Sequence, residues 1–379
     1  MTYSVQAWGA RSCGVWSLEG RVTCGYPAPM MTPITDRERA ARPLIRAWLW
    51  FAAFLVFVMV IVGGATRLTD SGLSITEWQP LLGAIPPLSE ADWLAAFEKY
   101  KQIPQYSLVN HGMSLAEFKF IYWWEWAHRF LGRFIGFVMI VPFLALWLTR
   151  RIEPYLKPRL AGLIVLGGLQ GALGWYMVKS GLVDRVDVSQ HRLAAHLTLA
   201  TVIFGAIVWT ALGVGDTRRQ RPHAPGQWAA LGLVALILLQ VAAGGFVAGL
   251  DAGMGYNTWP LMDGQWIPVG LMIMEPVWRN FFENAMTVQF DHRLLAYLVA
   301  VCAGLYAWRA RSQASLAMIA AVALQIALGI WTLLEQVPLY LGLMHQGGAM
   351  IVFATAVWAL HEALSRQEAR GRKLRQEMA

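Results

Sequence analysis

Charge is scarce in this chain. Charged side chains make up 14% of its 379 residues and hydrophobic ones 57%, whereas an ordinary soluble domain is about 25% charged. That balance excludes a conventional soluble fold. Cysteine is nearly absent: Cys13, Cys24 and Cys302 are the three, and no CxxC or CxxCH occurs. A thiol-ligated zinc site and covalent c-type haem attachment are therefore not indicated. Ahead of residue 44 there is no apolar run of signal-peptide type. Residues 1–43 read as a disordered cytoplasmic leader in which Met31 is an alternative start. A Cys13–Cys24 disulfide does not suit that compartment.

What is abundant is apolar sequence in lengths that suit a bilayer, about 20 residues per helix. Eight runs qualify: about 44–63, 121–148, 159–178, 190–213, 227–249, 286–308, 313–334 and 340–363. The net charge of +8, from 31 Lys+Arg against 23 Asp+Glu, would in a soluble protein raise the question of nucleic acid. Here the basic residues fall in alternate short loops and no nucleic-acid partner is expected. Arg37, Arg39, Arg42 and Arg46 precede the first span; Arg150, Arg151, Lys157 and Arg159 follow the second; Arg218, Arg219 and Arg221 follow the fourth; Arg309 and Arg311 follow the sixth. The positive-inside rule then predicts a multi-pass protein with both termini cytoplasmic. The opposite loops after spans 1 and 5 are long and rich in Trp, Gly and Pro. Trp78, Trp93, Trp123, Trp124 and Trp126 suit an interfacial aromatic belt.

The chain also repeats itself. "GGATRLTDSGLSITEW" after span 1 parallels "GGFVAGLDAGMGYNTW" after span 5, pairing Asp70 with Asp251 and Trp78 with Trp259. "LQGALGWYM" in span 3 parallels "LQIALGIWT" in span 7, pairing Gln170 with Gln325 and Gly174 with Gly329. The expected fold is an all-α membrane protein whose eight transmembrane helices form two pseudo-symmetric four-helix bundles. The expected units are an N-terminal half over 44–213, a linker over 214–222, a C-terminal half over 223–364 and a basic tail over 365–379. Four spans return the chain to its starting side, so the halves form a parallel repeat.

Eight histidines are present, and four occupy repeat-matched positions: His128 pairs with His292, and His196 with His345. Ionisable groups in a membrane are costly and mark function. Each half offers one imidazole from its second helix and one from its fourth, a pattern suited to axial ligation of haem iron. Zinc fits less well, because each half lacks the further ligands of a usual site. His111, His191, His223 and His361 have no repeat partner and read as structural or surface residues. Arg129 and Arg293 each follow a candidate ligand, where a guanidinium could pair a haem propionate or snorkel to the interface. Arg67 and Arg133 are weaker candidates of the same kind. The halves differ at one telling place: Glu125 sits three residues before His128, and the matched residue before His292 is Gln289. A carboxylate beside one ligand only points to proton chemistry at that site, or to a hydrogen bond that orients the ligand.

"GGATRLTDSGLSITEW", "EFKFIYWWEWAHRFLGR", "RLAAHLTLA", "NTWPLMDG" and "FDHRLLAY" resemble the haem A synthase family from about residue 44 onward. The outer loops carry no cysteine, so the likeness is to the cysteine-free proteobacterial and mitochondrial subgroup. The resemblance implies oxidation of the C8 methyl of haem O to the formyl of haem A, for terminal cytochrome oxidases. It implies a haem b cofactor in the C-terminal half on His292 and His345. It implies substrate haem O in the N-terminal half near His128 and His196, with Glu125 at the reacting side. It further implies residence in the bacterial inner membrane, with haem O synthase, cytochrome oxidase assembly factors and an unidentified electron acceptor as partners. A bis-haem b-type electron-transfer cytochrome and a haem transporter are the alternatives, and Glu125 opposite Gln289 counts against both.

Overall fold

Polar first turns open the two longest spans in the N-terminal half. Thr35 and Glu38 form a reciprocal capping box at the start of α1 (Asp36–Leu68), and Ser114 and Glu117 form another at the start of α4 (Leu115–Leu148). Each box satisfies otherwise orphaned N–H groups. Both helices therefore begin several residues before the apolar runs do: α1 reaches back into the stretch read as leader, and α4 includes the polar and aromatic residues from 115 to 120. The computed structural model describes residues 34–77, 82–184, 186–215 and 225–377. Cys13, Cys24, Met31, Trp78, Arg218, Arg219, Arg221 and His223 lie outside the described residues.

Between α1 and α4 stand α2 (Glu90–Tyr100) and α3 (Pro104–Leu108). Then follow α5 (Leu156–Asp184), α6 (Gln190–Gly213), α7 (Pro225–Gly249), the single turn α8 (Asn280–Glu283), α9 (Ala285–Ala310), α10 (Gln313–Leu334) and α11 (Leu339–Glu377). Eight of these are long and apolar enough to cross a membrane: α1, α4, α5, α6, α7, α9, α10 and α11. The fold is all-helical. The last helix continues through the basic segment read as a tail.

Packing order explains the two bundles. In the N-terminal half, α1 packs on α4, α4 on α5, α5 on α6, and α6 back on α1. In the C-terminal half the same ring runs α7, α9, α10, α11 and back to α7. The rings meet through α6 on α7, α1 on α11 and α6 on α11, so four helices make a shared centre. The main apolar core lies there, with Leu49, Ala52, Ile207, Ala211, Met350 and Ala356 almost wholly buried. Outward faces carry Phe137, Leu144, Val165, Leu305 and Leu324 exposed, as lipid-facing surface requires. The repeat extends to backbone detail. Asp70 and Asp251 end matched helices with φ of 50° and 49°, the left-handed region that Asp tolerates better than most residues.

At the end bearing the short basic loops, the α4–α5 turn is locked to α1. Glu153 is fully buried and receives Arg42 at 2.7 Å. At the opposite end the long loop after α1 folds into a second apolar cluster, in which Leu73, Trp93, Phe97 and Tyr100 pack on Phe118 and Tyr122 of α4. That cluster fixes residues 71–77 against α4 and positions the loop over the histidines.

Candidate haem sites

In each ring the histidine-bearing helices stand opposite each other. Among the described residues, α4 and α6 make no more than marginal contact, and neither do α9 and α11. His128 therefore faces His196 across one ring and His292 faces His345 across the other. All four lie toward the long-loop end of their helices.

A glycine on the neighbouring helix seats each ring. A Cβ added at Gly63 would stand 3.0 Å from Cε1 of His128; at Gly174, 3.0 Å from Cε1 of His196; at Gly244, 3.2 Å from Cε1 of His292; at Gly329, 2.8 Å from Cε1 of His345. Four residues before three of these glycines stands a glutamine. Gln170 Nε2 donates to the His196 carbonyl at 3.0 Å, Gln240 to that of His292 at 3.0 Å, and Gln325 to that of His345 at 2.8 Å. At the fourth seat the corresponding residue is Met59. Sequence reasoning paired Gln170 with Gln325 but gave neither a role and missed Gln240. The signal that finds all three is the spacing Q-x-x-x-G repeated in spans 3, 5 and 7.

The residues present fit a haem in each ring. A porphyrin supplies four equatorial ligands and asks the protein for two axial ones, commonly imidazoles. Each ring offers two facing imidazoles across a gap between helices, with glycines that leave them room. Nδ1 of both His128 and His196 is buried without a hydrogen-bond partner among the described residues. A metal-ion cage of three or more His, Cys, Asp or Glu is not found among the described residues.

Glu125 is nearly wholly buried, one turn before His128. Its Oε2 accepts from Ser74 Oγ at 2.8 Å and from the Ile75 amide at 2.7 Å; its Oε1 accepts from Arg129 Nε at 3.0 Å and Nη2 at 2.6 Å. Arg129 also donates to the carbonyls of Ile75 and Glu77 at 2.8 and 3.0 Å. The C-terminal half repeats the arrangement. Arg293 donates to the carbonyls of Tyr256 and Thr258 at 2.8 and 2.9 Å and to Gln289 Oε1 at 3.1 Å. Gln289 Nε2 donates to the carbonyls of Ala252 and Gly255, both at 2.8 Å. Both guanidiniums thus staple a loop to a histidine-bearing helix. Arg293 Nε remains buried without a partner among the described residues.

Arg67, one turn after Gly63 on α1, is held by two carboxylates. It bridges Asp70 of its own half at 2.9 Å and Asp251 of the other at 2.7 Å. Burial pushes the Asp70 carboxyl up, against the pull of Arg67. Three of the histidines without repeat partners, His111, His191 and His361, make contacts of other kinds. His191 is half exposed and 4.0 Å from Glu283; His111 packs on Tyr106 and His361 on Trp209.

Known proteins match this architecture along most of the chain. A relative from Parvibaculum lavamentivorans named Heme A synthase is 57% identical over 330 residues, covering 86% of this chain and 96% of that protein. Relatives of the same name from Mesorhizobium japonicum and Azorhizobium caulinodans are each 53% identical, over 85% and 88% of this chain and 92% and 97% of theirs. Residues 46–357 match the COX15-CtaA family, described as cytochrome oxidase assembly proteins, and the chain belongs to that family.

Proposed function

We propose that this chain is a haem A synthase, a membrane oxidoreductase that converts haem O to haem A. The observation that carries the reading is the pair of facing, glycine-seated imidazoles in each ring, with a carboxylate beside one of them only. The shared name of the relatives gives the reaction. The N-terminal ring takes haem O between His128 and His196. The C-terminal ring holds haem b between His292 and His345, with Arg293 Nε meeting a propionate. Bound there, haem b would supply one-electron transfer between the N-terminal site and an external acceptor. The long loops face outward and both termini are cytoplasmic, in the bacterial inner membrane. Haem O synthase and oxidase-assembly factors are the partners this activity requires.

The chain's own residues divide the remaining work. The glycine seats hold the imidazoles apart across each ring. The loop at 74–77, pinned by Glu125 and Arg129, closes the N-terminal ring against water. All the lone-pair sites of the Glu125 carboxylate, about four in number, are engaged by donors. Its role in this reading is as the carboxylate end of the Glu125–Arg129 ion pair, placed to stabilise positive charge that develops at the methyl carbon on the way to the alcohol and then the aldehyde.

The test is chromatography of haems extracted from cells that supply haem O and express the chain. Haem A should accumulate with the intact protein. His128→Ala should abolish haem A while leaving haem b in the purified protein, and His292→Ala should remove haem b. Unaltered haem O with intact protein would leave a bis-haem cytochrome or a transporter as the better reading.

A further inference from the structure

The two rings hold their imidazoles differently, although the helices that carry them are matched. In the C-terminal ring each imidazole has an amide against it. Gln240 Nε2 lies 3.2 Å from Nδ1 and 3.3 Å from Nε2 of His292, while donating to that residue's own carbonyl. Gln325 Nε2 lies 3.1 Å from Nδ1 of His345 and likewise donates to its carbonyl. Near-equal distances to both ring nitrogens put the Gln240 amide against the ring itself. Each of these rings is therefore confined between a glycine seat and an amide anchored to the same residue's backbone.

In the N-terminal ring neither imidazole is confined in this way. Gln170 reaches the His196 carbonyl, but Nδ1 of His196 has no partner among the described residues. At His128 the glutamine is replaced. Met59 occupies the position matching Gln240, four residues before the glycine seat. Its methyl group points one turn further along α4, where a Cβ on Gly132 would lie 3.3 Å from Met59 Cε. The residue matching Gly132 in the other half is Ala296. A thioether has no N–H to donate, so His128 lacks both the backbone anchor and the ring contact that His292 has.

We infer that the glutamine amides make the C-terminal ring a retaining haem site, and that Met59 makes the N-terminal ring an exchanging one. The inference rests on the proposed division between a cofactor half and a substrate half. A cofactor should stay through many turnovers. A substrate must enter as haem O and leave as haem A. Releasing an axially held haem requires the imidazole to swing off the iron, and a ring fixed on both sides swings less readily. Differences in affinity between related sites reside mostly in the dissociation rate. One hydrogen bond's worth of free energy changes that rate by about tenfold. Met59 is thus a positioning residue: it acts through His128 and touches no reacting atom.

The experiment measures haem release from the purified full-length protein, in detergent, to excess apomyoglobin. Iron protoporphyrin IX is the probe in both rings. A His292→Ala background confines the probe to the N-terminal ring, and a His128→Ala background confines it to the C-terminal ring. With no further change, the N-terminal ring should release faster. Met59→Gln should slow N-terminal release by about tenfold, and Gln240→Met should speed C-terminal release by about the same factor. Met59→Leu, which adds no donor, should match the unaltered ring. Should Met59→Gln fail to purify, the Gln240→Met arm decides alone. Unchanged release in these arms overturns the inference and leaves the proposed function standing. Haem b retained by His292→Ala but lost from His128→Ala would instead overturn the assignment of halves, an outcome the release rates do not produce.

Discussion

At position 125 a carboxylate does with acceptors what the amide at 289 does with donors. Glu125 receives Ser74 and the Ile75 amide; Gln289 gives to the carbonyls of Ala252 and Gly255. Glu125→Gln is therefore more than removal of a charge, because the new NH2 group must face either the Arg129 guanidinium or the Ile75 amide, neither of which can accept. Leaving a buried donor unsatisfied costs about 1–3 kcal/mol. The single variant should melt at a lower temperature in detergent and form little haem A. Adding Ser74→Gly removes the one partner that can accept from the new amide, so it should lower the melting temperature further while haem A formation stays low. Near-normal haem A in the single variant would make Glu125 a loop staple alone. The contrast of Glu125 with Gln289 was legible in the sequence, since it needs only the repeat alignment. Its hydrogen-bond polarity was not, because the partners lie about 50 positions away in a loop whose path depends on tertiary packing.

Helix positions were legible for a simple reason: apolar runs of bilayer length have few other uses. Where α1 and α4 begin was not, because their first turns are polar and are held by capping boxes outside the apolar runs. The short helices α2 and α3 were hidden for a related reason, being built on an aromatic cluster that a reading for spans passes over. All four glycine seats were visible as repeat matches, Gly63 with Gly244 and Gly174 with Gly329, but nothing in the sequence says that an imidazole rests on them. Substitution separates the seats from ordinary helix glycines. Gly329→Ala puts a methyl group 2.8 Å from Cε1 of His345, so the ring must shift. The purified variant should lose most of its haem b and its low-spin absorption while keeping its helical content. Gly136 has nothing within 4 Å of an added Cβ. Gly136→Ala should keep full haem and gain up to about 1 kcal/mol from helix propensity.

Across the whole molecule the halves are joined by the shared centre of α1, α6, α7 and α11, and at the long-loop end by Arg67 reaching Asp251. Four spans per half put the long loops of both halves at one end and the α4–α5 turn at the other. Reporter fusions at residues 105 and 155 should therefore give opposite compartment signals, with 155 cytoplasmic. Matching signals from the two would break the eight-span arrangement. This parallel organisation has an electrical consequence. The four histidines lie toward the long-loop end of their helices, so in the proposed division the two haem sites lie at the same depth. An electron passing from one site to the other travels in the plane of the membrane, across the shared centre. A charge moving in that plane crosses none of the transmembrane voltage, which acts only on displacement along the normal. On the proposed division of the halves, exchange between the two sites would thus be electrically silent.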